Sequence, residues 1–75
     1  MVGMASDVCI ALGERIRQLR IERRWRQIDL AEETGIHENY VSDLEQGRKE
    51  ICLRTLQAIA KAFDLTMADL LKNLD

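Results

Sequence analysis

The chain has 75 residues, of which 47% are apolar and 32% are charged, and its formal net charge is −2. A chain of this length supports one small hydrophobic core, so we expect a single domain over residues 1–75. No apolar run approaches the roughly 20 residues that cross a bilayer, and the N-terminal segment lacks the basic region of a signal peptide. These features argue against a membrane span and a secretory leader, and we expect a cytoplasmic protein without membrane partners.

The charge is unevenly distributed along the chain. Six Arg and two Glu lie between Leu12 and Arg26, whereas six acidic residues and no Lys or Arg lie between Gln27 and Gln46. Three basic residues and one acidic residue follow between Gly47 and Arg54. Two basic patches therefore flank an acidic block. Because local patches govern contact with a polyanion more than net charge does, the negative total does not exclude nucleic acid.

The composition predicts an all-α protein. Pro is absent, and residues that favour helices, such as Leu, Ala, Glu, Arg and Gln, are frequent. Apolar residues recur at helical spacing in five segments, at about 8–24, 27–34, 38–46, 53–63 and 67–74. The second and third helices are expected to end at Gly35 and Gly47. The residues that the fourth helix is expected to bury are Leu53, Leu56, Ile59, Ala60 and Phe63.

Four of the five predicted helices start with the spacing of a hydrophobic staple. In each, one apolar residue precedes the N-cap and another follows five positions after the first, as Trp25 and Leu30 do. The spacing places the N-caps at Arg26, His37, Cys52 and Thr66. Only Thr66 is a favourable cap residue, and Asp69 completes a capping box with it. The other three are poor caps, which raises the hypothesis that Arg26 and His37 serve a ligand instead.

The segment from Gln27 to Gln46 has the spacing of a helix-turn-helix. Two helices that cross at about 90–120° through a tight turn need a small residue at the crossing. They also need a positive φ in the turn and apolar residues inside the angle. Ala31 and Gly35 meet the first two requirements. The residues expected to fill the angle are Ile36, Val41 and Leu44.

The combined motif QxxLAxxxGIxxxxVSxLExG, preceded by IRQLR, resembles the phage-repressor and Cro-like family, also called xenobiotic-response-element regulators. The resemblance covers about residues 12–71 and implies a five-helix bundle of the lambda-repressor-like DNA-binding type. The small size also resembles the controller proteins of restriction-modification systems. The sequence departs from the family at Arg26 and Thr34, where a Ser or Thr cap and an apolar residue are usual. It departs again at Glu50 and Ile51, where Asn-Pro is common.

The resemblance implies roles for individual residues. Arg20 and Glu45 match an Arg–Glu pair that ties the first helix to the third. The positions that face base edges in the family are occupied here by Glu38, Asn39 and Asp43. The positions that contact the DNA backbone are occupied here by Gln27, His37, Tyr40, Arg48 and Lys49.

Helical geometry and charge extend both sets. Ser42 lies on the same face of the third helix as Glu38 and Asn39, so we include it among the base-reading residues. The residues added to the phosphate-binding set are Arg24 and Arg26, together with Arg54. Arg15 and Arg17 of the first helix are interpreted as an exposed face with Glu–Arg pairs.

The acids at the predicted base-reading positions suit recognition by rejection. A carboxylate can accept a hydrogen bond from the cytosine amino group, whereas most other base-edge atoms are acceptors that repel it. Asn39 can bond to adenine through two hydrogen bonds. A solvated helix face is the alternative interpretation of Glu38 and Asp43.

The last predicted helix carries an apolar stripe that a small core covers only in part. Its residues, with the one that precedes it, are Leu65, Met67, Leu70, Leu71 and Leu74. We expect residues 66–74 to form a two-fold dimer interface. Such a dimer would hold two recognition helices about 34 Å apart and would require a roughly palindromic operator.

No residue pattern indicates catalysis, a metal site, a cofactor or a small-molecule ligand. His37 stands alone in sequence, and Cys9 and Cys52 lack metal-ligand spacing. We expect two reduced thiols, with a disulfide across a dimer as the alternative. Trp25 is interpreted as a core and staple residue rather than a platform for base stacking.

The sequence therefore predicts a homodimeric, sequence-specific transcription regulator that binds double-stranded DNA, and not an enzyme. This regulator is expected to read the major groove with its third helix, residues 38–46. The alternative is an antitoxin or a protein-interaction adaptor of the same fold, whose acidic block meets a basic partner.

Overall fold

The computed structural model describes the backbone of residues 2–74 and the side chains of residues 8–74. These residues form five helices and no strand, which confirms the all-α prediction. The helices are α1 (Val2–Glu22), α2 (Gln27–Thr34), α3 (Glu38–Glu45), α4 (Leu53–Ala62) and α5 (Met67–Leu71). None of them, within the described part of the chain, is both long and apolar enough to cross a bilayer.

Four helix ends differ from the predicted bounds. Helix α1 ends at Glu22 because Arg24 adopts a left-handed φ of 58° and the Trp25 N–H donates back to the Arg20 carbonyl. Helix α4 ends one residue early, where Asp64 has a φ of 59°. Helices α3 and α5 end at Glu45 and Leu71, one and three residues before the predicted ends. The start of α1 at Val2 rather than Val8 is the one extension.

Gly35 and Ala31 build the helix-turn-helix as the sequence predicts. Gly35 has a φ of 76°, and its N–H donates to the Ala31 carbonyl at 2.8 Å. Ala31 is buried, and so are Val41 and Leu44 of the next helix. Because a backbone with positive φ strains most L-residues, Gly at this turn lets α3 leave α2 at once.

One core was expected, and one contiguous apolar cluster is present among the described side chains. Its members are Leu12, Ile16, Leu30, Ala31, Val41, Leu44, Leu56, Ile59, Ala60, Phe63 and Leu70. The predicted burial of Leu53 is wrong, since this residue is 71% exposed. Ile51 packs against the core just before α4 and takes the place that the prediction gave to Leu53.

Gly13 allows α1 to lie against the carboxyl end of α3. A Cβ atom at this position would collide with the Leu44 carbonyl oxygen and would lie 2.6 Å from the Glu45 carbonyl oxygen. Those neighbours are backbone atoms, which cannot rotate away as a side chain can. The sequence interpretation gave Gly13 no role, because helical spacing does not reveal which helix crosses at that point.

We expect Gly13→Ala to destabilise the protein by about 1–3 kcal/mol, because the added methyl group separates α1 from α3. This would occur although Ala favours a helix over Gly by about 1 kcal/mol. Urea unfolding measures the change, and Gln18→Ala, at an exposed position of α1, is the control with an effect within about 0.5 kcal/mol. A Gly13→Ala protein as stable as the parent would contradict the close crossing.

Candidate nucleic-acid interface

A buried ion pair joins the first helix to the third. The Arg20 Nε donates to Glu45 Oε2 at 2.7 Å, and Arg20 Nη2 donates to Oε1 at 3.0 Å. The side chains of Arg20 and Glu45 are only 12% and 2% exposed. Gln27 Nε2 also donates to Glu45 Oε1, at 3.2 Å. Both carboxylate oxygens therefore have donors, which compensates the loss of hydration on burial.

The same ion pair sets the position of α3. Arg20 Nη1 also donates to the Trp25 carbonyl at 2.7 Å, so one guanidinium holds the end of α3 and the chain that leads into α2. Gln27, which the sequence predicts to bind phosphate, is the first residue of α2 and shares Glu45 with Arg20. The first residue of α2 and the last residue of α3 are thus tied to a single site on α1.

His37 caps the N-terminus of α3. The Asn39 N–H donates to His37 Nδ1 at 3.0 Å, so the expectation that His37 is a poor cap is wrong. Because Nδ1 accepts this hydrogen bond, Nε2 is the ring nitrogen that remains to donate to another group. Because the His37 side chain is exposed, it can cap α3 and at the same time donate a hydrogen bond to an external anion.

Asp29 stabilises the start of α2, where the N-cap residue Arg26 has no side-chain acceptor for a capping hydrogen bond. A guanidinium has no acceptor atom, so Arg26 is a poor cap, as expected. The Asp29 carboxylate accepts from the Arg26 backbone N–H at 2.7 Å and from its Nε and Nη2 at 3.2 Å. These hydrogen bonds lower the pKa of Asp29 and raise that of Arg26. Glu38 contributes to the raised pKa of Arg26, which places this cation within electrostatic range of α3.

The four predicted base-reading residues differ in accessibility. Glu38 and Asn39, on the first turn of α3, are exposed. Ser42 is half-buried, and its Oγ accepts from Gln46 Nε2 at 3.0 Å. Asp43 is half-buried, since its side chain is 26% exposed and is paired with two cations.

Those two cations come from the loop that follows α3. Arg48 Nη1 lies 3.6 Å from Asp43 Oδ1, and Lys49 Nζ lies 3.8 Å from Asp43 Oδ2. Gly47 turns the chain with a φ of 71°, and the Arg48 N–H donates to the Asp43 carbonyl at 3.0 Å. The predicted phosphate-binding loop therefore folds back on the last turn of the helix that is predicted to read bases.

The other predicted phosphate-binding residues lie at segment ends. Arg24 is exposed in the turn after α1, and Arg54 is exposed on the first turn of α4. Tyr40 is half-buried, and its hydroxyl donates to the Glu50 carbonyl at 3.4 Å.

Cys52, the N-cap of α4, makes no capping hydrogen bond and has its Sγ 3.1 Å from Thr55 Oγ1.

Arg15 on α1 and Arg23 in the turn that follows it have structural roles that the sequence interpretation missed. Arg15 donates to the carbonyls of Leu70 and Lys72 at 3.0 and 2.9 Å, and so caps the end of α5. Arg23 donates to the Phe63 carbonyl at 2.6 Å, and its guanidinium lies 4.8 Å from the Phe63 ring centroid. Helix ends leave carbonyls without partners, which is a signal that donors are needed, but periodicity does not say which helix supplies them.

Trp25 fits its predicted role as a core and staple residue. Trp25 stacks on the buried ring of Phe63 with a centroid separation of 5.8 Å. Cys9 and Cys52 are free thiols, half-buried and exposed respectively. In the described part of the chain, no group of three or more His, Cys, Asp or Glu side chains is arranged to hold a metal ion.

The predicted dimer residues are not equally available. Leu70 is 0% exposed and belongs wholly to the core of its own chain, so its inclusion in an interface is wrong. Leu71, next to it, is 39% exposed. Three others are half-buried and pack against the core, namely Leu65, Met67 and Leu74.

Comparison with known proteins decides the family. Residues 16–70 match the sequence profile described as helix-turn-helix. The chain belongs to the helix-turn-helix family. This is a family of DNA-binding transcription regulators and not of enzymes, and the resemblance to phage repressors and restriction-modification controllers is confirmed.

Three relatives illustrate the similarity. The HTH-type transcriptional regulator DdrOP3 of Deinococcus deserti is 44% identical over 64 residues, but the chain spans only 50% of its length. Control protein C.BamHI of Bacillus amyloliquefaciens is 32% identical over 91% of this chain and 85% of its own. The crystal structure of the restriction-modification controller protein C.AhdI from Aeromonas hydrophila superposes with a TM-score of 0.80 at 29% identity, over 83% of this chain and 94% of that one.

We expect Arg20→Ala to cost about 3–5 kcal/mol of stability, because Glu45 stays buried with only Gln27 as a donor. Arg17→Ala, at an exposed site of the same helix, is the matched control. Urea unfolding distinguishes the two, and a double Arg20→Met, Glu45→Met variant should regain most of the loss because no unpaired charge remains. Equal stability of Arg20→Ala and Arg17→Ala would contradict the role of the pair.

Proposed function

We propose that this protein is a sequence-specific transcription regulator that binds double-stranded DNA as a homodimer on a palindromic operator. The observation that carries the proposal is the exposure of Glu38 and Asn39 on the first turn of a helix whose two ends are both held. His37 caps the start of α3, and the Arg20–Glu45 pair anchors its end. A held helix suits base recognition, because a small displacement would misplace the hydrogen-bonding groups.

In this proposal, α3 enters the major groove by its N-terminal turn. The Asn39 amide donates to N7 and accepts from N6 of the same adenine, or uses either atom alone. Glu38 accepts from the amino group of cytosine and is repelled by the acceptor atoms of guanine and thymine. Ser42 and Asp43 lie one turn farther along α3 and contact the next base pairs. The pattern of preferred bases is then set by both attraction and repulsion.

Affinity comes mainly from residues around α3, with Tyr40 as the one contribution from α3 itself. The proposed phosphate contacts are Arg24, Arg26, Gln27, His37, Tyr40, Arg48 and Lys49, with Arg54 beyond them. The cations among them are exposed. Three of them, Arg26, Arg48 and Lys49, are paired with half-buried carboxylates, which they can exchange for phosphate. Phosphate contacts position the protein on the duplex, and base contacts supply the sequence preference.

We also propose that the regulated genes belong to a restriction-modification system. Similarity to C.BamHI and to C.AhdI, each over more than four-fifths of both chains, supports this context. A restriction endonuclease or DNA methyltransferase gene beside the coding sequence is the expected finding. A toxin gene in that place would favour an antitoxin instead.

Dimerisation is proposed to use the apolar surface around Leu71. One recognition helix and a few phosphate contacts give too little discrimination against the competing sites of a genome. Leu71 is exposed, and Leu65, Met67 and Leu74 keep part of their surface accessible around it. Two-fold pairing there would present two copies of α3 about one turn of B-DNA apart, or about 34 Å.

Selection of bound sites from random duplex DNA tests the whole proposal. We expect enrichment of a two-fold symmetric sequence whose half-sites are about 10 base pairs apart from centre to centre. No enrichment over the starting pool would reject sequence-specific binding. An enriched sequence without symmetry would retain DNA recognition but reject the palindromic operator.

We expect Asn39→Ala to relax the base preference at one position of each half-site by about 1–3 kcal/mol, since the amide contact is lost. Repeating the selection with this variant measures the effect. Glu33→Ala, on the exposed surface of α2, is the control and should leave the selected sequence unchanged. An unchanged preference with Asn39→Ala would mean that this residue does not contact a base.

We expect Leu71→Lys to give a folded monomer with weaker operator binding, because a charge replaces an apolar contact on each side of the two-fold axis. Sedimentation at micromolar concentration measures the mass, and circular dichroism confirms folding. Ile21→Lys, at an exposed apolar residue of α1, is the control and should stay dimeric. A parent protein that sediments as a monomer, alone and with operator DNA, would reject the dimer.

A further inference from the structure

Asp43 occupies a different position from the other acids of the helix-turn-helix. Each of its two carboxylate oxygens faces a separate cation, Arg48 Nη1 at 3.6 Å and Lys49 Nζ at 3.8 Å. The cations themselves are well exposed, at 64% and 60% of their side-chain surfaces, whereas the carboxylate between them is 26% exposed. An acid on the proposed base-reading surface thus holds two of the cations proposed to bind phosphate.

The backbone brings these three residues together. Gly47 has a positive φ and turns the chain back at the end of α3. The Arg48 N–H then donates to the Asp43 carbonyl oxygen at 3.0 Å, which keeps the loop beside the last turn of the helix. Because backbone atoms hold this loop, the side chains of Arg48 and Lys49 stay within reach of the Asp43 carboxylate.

The contacts are suited to exchange. A carboxylate and a phosphate present the same kind of anionic oxygen to Lys and Arg. Distances of 3.6 and 3.8 Å exceed the 2.7–2.9 Å that is typical of a charge-assisted hydrogen bond, so Asp43 holds the cations by a weak and exposed attraction. A phosphate group that approaches the loop can therefore take both cations from Asp43.

We propose that Asp43 is a specificity-determining residue that couples phosphate binding by Arg48 and Lys49 to the base beside it. When phosphate takes the two cations, Asp43 loses its counter-charges inside the major groove. A cytosine amino group at that position donates to the released carboxylate, whereas other base edges mostly repel it. On the operator, Arg48 and Lys49 can therefore both bind phosphate fully. On other DNA, they remain partly paired with Asp43.

This inference depends on the proposed function, because it assumes that α3 lies in the major groove. It differs from a simple set of phosphate contacts in one measurable respect. If Arg48 and Lys49 bound phosphate independently, they would strengthen binding to all sequences equally. If Asp43 competes for them, they contribute less to binding on random DNA than on the operator.

The test compares Asp43→Asn with the parent on a random duplex and on the selected operator, between about 50 and 200 mM salt. On the random duplex, we expect about three- to tenfold tighter binding and a salt slope steeper by about one unit, because two cations become available. Operator binding should change much less, since an Asn oxygen can also accept from cytosine. The ratio of operator to random affinity should therefore fall, and site selection should show a weaker cytosine preference at one position.

Glu33→Gln is the charge-matched control, because Glu33 is exposed on α2 and has no cation within 4 Å among the described side chains. We expect it to strengthen binding to both duplexes by the same small factor. An equal response of the two variants would overturn the inference. A gain from Asp43→Asn that persists after Arg48→Gln and Lys49→Gln would also overturn it, because Asp43 would not act through these cations.

A second measurement leaves Asp43 in place and so does not depend on the folding of Asp43→Asn. The double variant Arg48→Gln, Lys49→Gln should lose several-fold more affinity for the operator than for the random duplex. Equal losses on both would overturn the inference while leaving the proposed function intact. A parent protein that binds no duplex in preference to random DNA would instead reject the proposed function.

Discussion

The bidentate pair of Arg20 and Glu45 is the interaction on which the rest of the structure depends. A carboxylate that is 2% exposed requires donors on both oxygens, and among the described side chains the guanidinium from α1 and the Gln27 amide supply them. The pair therefore contributes less to net stability than to the selection of one arrangement of α1 against α3. Any other angle between α1 and α3 would leave a buried charge without a partner.

Close packing at Gly13 adds the second constraint on the same two helices. The absence of a side chain there lets the α1 backbone meet the carbonyls of Leu44 and Glu45. Close approach of the two backbones and the ion pair therefore act on adjacent residues of α3. Together they hold the helix whose exposed first turn carries Glu38 and Asn39, and they leave that turn free for a ligand.

The charged residues divide into a structural group and an available group, which explains an acidic block in a DNA-binding family. Arg15 and Arg23 donate to backbone carbonyls at helix ends, and Arg20 donates to the Trp25 carbonyl between α1 and α2. Half of the six arginines in the first basic patch therefore have structural partners. Among the acids, Glu45 is buried in an ion pair and Asp29 stabilises the start of α2. The net charge thus overstates the repulsion that DNA would meet, because several acids already have partners.

Local chemistry in the sequence determined the helices, their caps and the turn. The staple spacing, Gly35 and the Thr66–Asp69 capping box act within a few residues, so a linear pattern contains them. The combined motif indicated the family, and the resemblance to that family implied the Arg20–Glu45 pair. Only tertiary structure decided the contacts between distant segments, such as the crossing at Gly13 and the carbonyls bound by Arg15. It also decided that Ile51 packs against the core while Leu53 is exposed. The burial of Leu70 and the pairing of Asp43 belong to the same group. Periodicity shows which face of a helix is apolar, but the neighbour that covers each turn of that face is set by how the helices cross.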